Sequence, residues 1–133
     1  MSTVLSRSIT TAVAAVALAA PLALASPAVA ESGGHPSVRS SGACSGGGTF
    51  ELKAKHDDGR IEVEYEVDTN RAGQAWHVRL TDNGRTVFSG TRTTKAPSGS
   101  FTIHRSVANR AGSDTIRAKA TFDTRSCGGK VTL

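Results

Sequence analysis

Sulfur, aromatic rings and long apolar runs are all scarce in this 133-residue chain, and each shortage removes a class of function. Cys44 and Cys127 are the only cysteines; neither sits in a C-x-x-C pair and no histidine lies at ligand spacing, so nothing points to a metal or a cofactor. Six aromatic side chains, most of them at inward positions of the pattern described below, make a poor stacking platform for single-stranded nucleic acid. The longest apolar stretch, Ala12 to Leu24, holds thirteen residues and is interrupted by Pro21, against about twenty needed to span a bilayer. The serines lack a G-x-S-x-G context, and the glycines of Ser45-Gly46-Gly47-Gly48 lead into no helix and no Lys-Ser or Lys-Thr. No stretch keeps a helical period.

What is present begins with an export pattern. Arg7 is the only charge in the first thirty residues, the apolar stretch follows it, and small residues Ala28 and Ala30 flank Val29. This arrangement predicts a signal peptide over 1–30, cleaved between Ala30 and Glu31, and a secreted mature chain without a membrane span. In that oxidising setting Cys44 and Cys127 are expected to pair. They bracket 84 residues, for which chain entropy assigns at most about 4 to 5 kcal/mol of stabilisation. Residues 31–48 are rich in Gly and Ser and read as a flexible lead.

From Thr49 onward the apolar residues recur at every second position, the period of strands with one buried face. Phe50, Leu52 and Ala54 alternate with Glu51, Lys53 and Lys55; Ile61, Val63, Tyr65 and Val67 alternate with Arg60, Glu62, Glu64 and Glu66. Asp58-Gly59 is a two-residue hairpin signal, and a turn there sets Leu52 opposite Tyr65, Lys53 opposite Glu64 and Lys55 opposite Glu62. Asn83-Gly84 signals a second hairpin, with Trp76, Val78 and Leu80 inward; it predicts Leu80 opposite Val87 and places Phe88 outward beside Arg79. Further strands are predicted over Ser100–Arg105, Thr115–Phe122 and Lys130–Leu133. The expected fold is all-β: a single antiparallel two-sheet sandwich of about seven strands over 49–133, with a small β-barrel as the alternative.

The strand count and the lone Trp76 on the third strand resemble an immunoglobulin-like or fibronectin-type-III-like sandwich. The stretch Lys53 to Thr94, with His56-Asp57-Asp58-Gly59-Arg60 and Ser89-Gly90-Thr91-Arg92-Thr93-Thr94, is similar to small secreted bacterial proteins of unassigned function, a resemblance that implies no activity. An antibody domain joins its B and F strands by a disulfide and carries Tyr two residues before the second cysteine. Here Cys44 precedes the first predicted strand, Cys127 follows the sixth, and Arg125 stands at the tyrosine position.

Charge is divided along the chain. Residues 31–70 hold four Lys or Arg against eight Asp or Glu, whereas residues 71–133 hold eleven against three. His77 and Arg79 on one strand, and Arg117 and Lys119 on a strand expected beside it, form a candidate anion-binding face. The expected function is a secreted, non-enzymatic interaction module whose partner is an anionic cell-envelope polymer or a secreted protein. Two other readings stay open: a small enzyme or enzyme inhibitor presenting the loops 93–99 or 108–114, and charged faces that serve only solubility.

Overall fold

The structure is a computed structural model and describes residues 35–133; the predicted signal peptide and its cleavage point at Ala30 and Glu31 lie outside the described residues. Eight strands form: β1 (Ser37–Ala43), β2 (Thr49–Asp57), β3 (Arg60–Asp68), β4 (Ala75–Asp82), β5 (Arg85–Thr93), β6 (Ser100–Ala108), β7 (Thr115–Phe122) and β8 (Arg125–Thr132). They build two antiparallel four-stranded sheets, ordered β1-β2-β3-β6 and β5-β4-β7-β8. Both sheets are open, so the architecture is the sandwich and the barrel alternative is discarded. Strands β2 to β8 are the seven expected from sequence. Among the described residues no helix is long and apolar enough to cross a membrane.

Alternation places the inner faces as the sequence requires, with Leu52, Ile61, Tyr65, Trp76, Leu80 and Ile116 fully buried. The first hairpin has the predicted register, including Leu52 opposite Tyr65 and Lys53 opposite Glu64. Asp58 and Gly59 both take positive φ, 46° and 73°, which matches the right-handed twist of the flanking strands. Tyr65 reaches across the core, and its hydroxyl donates to the Cys127 carbonyl at 3.1 Å. Burial pushes this hydroxyl well above its ordinary pKa range, so it stays a donor.

Three expectations need correction. A register shift between Leu80 and Thr81 sets Leu80 opposite Phe88, not Val87. This bulge turns Phe88 inward, where it is 8% exposed. Arg79 therefore does not cover the Phe88 ring; Arg92 and Arg105 do, at 4.8 and 4.6 Å from its centroid. The last strand starts at Arg125, not Lys130, because Asp123, at φ 54°, closes a tight turn without glycine.

The third correction concerns the stretch 31–48, part of which is built into the fold. β1 pairs with β2 from Ser37 opposite Lys55 to Ala43 opposite Thr49. Its small residues make room for a neighbour: a Cβ on Gly42 would lie 3.3 Å from Phe50 Cε1, and one on Gly129 of β8 would lie 2.8 Å from Phe50 Cε2. The Phe50 ring thus occupies space left by two side-chain-poor strands. Cys44 and Cys127 are bonded, tying the end of β1 to β8 across the two sheets. The glycine-rich turn after Cys44 is docked, with Ser45 N donating to the Ser126 carbonyl and Ser126 N donating to Ser45 Oγ, both at 2.8 Å.

Candidate functional site

Strands β4 and β7 are adjacent, and their outward positions bring His77, Arg79, Arg117 and Lys119 onto one exposed face. Arg79 stands directly opposite Lys119, and Arg117 lies opposite Thr81. Sequence reasoning missed a fifth member: Lys130 of β8, exposed and directly opposite Arg117. Its alternation with inward Val131 was the available signal. The remaining outward positions of this sheet are small or hydroxylic, among them Thr81, Thr86, Ser89, Thr91, Thr121 and Ser126, and no carboxylate occurs at any outward strand position.

Two shallow depressions cross this face and share Arg117 and Lys119. One, of about 420 Å³, lies between β4 and β7 and includes His77 and Arg79. The other, of about 460 Å³, lies between β7 and β8, where Gly128 contributes no side chain and Lys130 forms a rim. The Arg79 guanidinium donates to Thr86 Oγ1 through Nε at 3.0 Å and Nη2 at 2.8 Å, which orients it along the face.

Like charges directly opposite in an antiparallel sheet are destabilising, yet two such pairs, Arg79 with Lys119 and Arg117 with Lys130, sit side by side. Among the described residues no carboxylate lies within ion-pair distance of any of these four cations. The outer face of the other sheet is treated differently. Lys53 Nζ lies 3.3 Å from Glu64, Arg39 lies 3.9 Å from Glu51, and His104 Nδ1 lies 3.6 Å from Glu64. Glu51 also faces Glu66 there, but the Arg39 contact relieves that pair.

His35 and His104 border one depression on the outer face of the first sheet, together with Glu62 and Glu64, and neither His56 nor His77 lines it. His77 belongs to β4 and His104 to β6, in different sheets, while His56 lies 3.2 Å from the Asn109 amide nitrogen. Among the described residues no group of three His, Cys, Asp or Glu side chains is arranged to hold a metal ion. No protein-family model, curated protein or solved structure matches this chain.

Proposed function

We propose that the protein is an exported, non-enzymatic binding module that holds an anionic polymer of the cell envelope against the outer face of β4, β7 and β8. The observation that carries this reading is the two like-charge residue pairs set directly opposite each other on a face without carboxylates. A linear polyanion laid across them replaces repulsion with attraction at four sites at once. The shallow form of the depressions suits a polymer rather than an enclosed small molecule, which favours deep clefts. The disulfide and the signal-peptide pattern of residues 1–30 support export.

Retention on a sulfated-polysaccharide column and on immobilised polyglycerol phosphate tests this. Binding at low salt is expected to weaken steeply as salt screens the exposed charges. The triple reversal R79E/R117E/K119E is expected to lower affinity by about tenfold or more, equivalent to roughly 1.4 kcal/mol, whereas K53E/K55E on the opposite sheet leaves it nearly unchanged. Equal retention of both variants and the parent overturns the assignment of the face.

A further inference from the structure

One end of the sandwich buries two carboxyl groups that the binding face does not use. Asp82 closes β4 and is 4% exposed; Asp114 immediately precedes β7 and is 1% exposed. Asp82 Oδ1 and Asp114 Oδ2 are both buried without a hydrogen-bond partner, and Asp114 stands two residues before Ile116, the cross-strand partner of Asp82. Two ionised carboxylates in that position would repel in a setting that screens them poorly, and each would leave a buried oxygen unsatisfied. A single proton between them removes both costs.

The surrounding groups give no full counter-charge. Asn83 donates from Nδ2 to the Ser113 carbonyl at 3.1 Å and to Asp114 Oδ1 at 3.5 Å. β5 places exposed Arg85 opposite Asp82, and β7 places apolar Ile116 there. Arg110, on the loop between β6 and β7, is exposed and forms no ion pair with either carboxylate. Beyond β8, the main chain of Leu133 exchanges two hydrogen bonds with Asp114, at 3.0 and 3.3 Å. Asn83 N donates to the Thr115 carbonyl at 3.0 Å, and Thr115 N donates back to Asn83 Oδ1 at 2.9 Å. The pair therefore lies where the β4–β5 turn, the start of β7 and the end of β8 are joined.

We infer that Asp82 and Asp114 form an acid latch: one proton shared between them holds these three segments together, and its loss loosens that end of the sandwich. Burial, and then the charge and hydrogen bond of Asp114, push the Asp82 carboxyl above its ordinary pKa, with Arg110 opposing. A carboxyl raised in the folded state contributes stability that is fully present below its unfolded pKa. That contribution is lost as pH rises through the folded value, the reverse of the usual Asp.

Amide hydrogen exchange on the folded protein between about pH 3, below the ordinary Asp value, and about pH 8, corrected for intrinsic exchange rates, tests the latch. Protection at Asp114, Thr115 and Leu133 is expected to fall severalfold as pH rises through the folded-state value of the pair, while Leu52 and Val63 hold steady. D82N, which keeps a hydrogen-bonding side chain and removes one charge, is expected to make protection at those three amides independent of pH; D114N provides the same readout if D82N does not fold. Uniform protection in the parent across the interval overturns the latch. So does a rise in protection at about pH 8 on adding millimolar calcium that D82N abolishes, because a cation and not a proton would then bridge the pair.

Discussion

Phe88 shows how one residue can be assigned to the wrong face by a register error of one. Period-two counting from the Asn83-Gly84 turn puts it outside, and the bulge between Leu80 and Thr81 puts it inside. The distinction has an energetic consequence. Phe88→Ala is expected to cost about 3 kcal/mol, in the range for a buried aromatic, whereas an exposed Phe would cost within about 0.5 kcal/mol; urea denaturation of the variant separates the two. Tyr65 carries a second such prediction. Tyr65→Phe keeps the ring between Phe50 and Phe101, 6.5 and 6.4 Å away, but leaves the Cys127 carbonyl without its donor. The expected loss is about 1 to 3 kcal/mol with no change in the fold, measured by denaturation alongside circular dichroism.

At the level of strands, alternation made β2, β3, β4 and β7 legible in the sequence, and Asp58-Gly59 fixed the first hairpin down to individual pairs. β1 and most of β8 were hidden for one physical reason. Their inward positions include Ser40, Gly42 and Gly129, which carry little apolar surface because Phe50 and the opposite strands fill that space. A composition that signals flexibility in isolation here serves close approach. Gly129→Val therefore tests the packing: a branched side chain must displace Phe50 or Ser40, and a destabilisation of about 1 to 3 kcal/mol is expected from overpacking. The disulfide acts on these same strands. Replacing Cys44 and Cys127 together by Ser is expected to cost about 2 to 4 kcal/mol, with proteolysis then beginning in β1, the edge strand that the disulfide ties down.

Across the whole molecule, the two sheets present outer faces of unlike charge: one in which Lys53, Arg39 and His104 sit beside glutamates, and one in which Arg79, Arg117, Lys119 and Lys130 have none. The division was visible in the sequence as a charge imbalance between its halves. The face shared by Arg79, Arg117 and Lys119 was expected from setting their two strands side by side, but Lys130 was not, because its place depends on β8 pairing with β7 along its whole length. The most direct measurement is a backbone amide shift titration of the folded protein with a polyglycerol phosphate at low salt. Shifts confined to β4, β7 and β8, centred on Arg79, Arg117, Lys119 and Lys130 and erased by raising salt, are the predicted result. Shifts centred on β2, β3 and β6, or none at any concentration, would contradict the account.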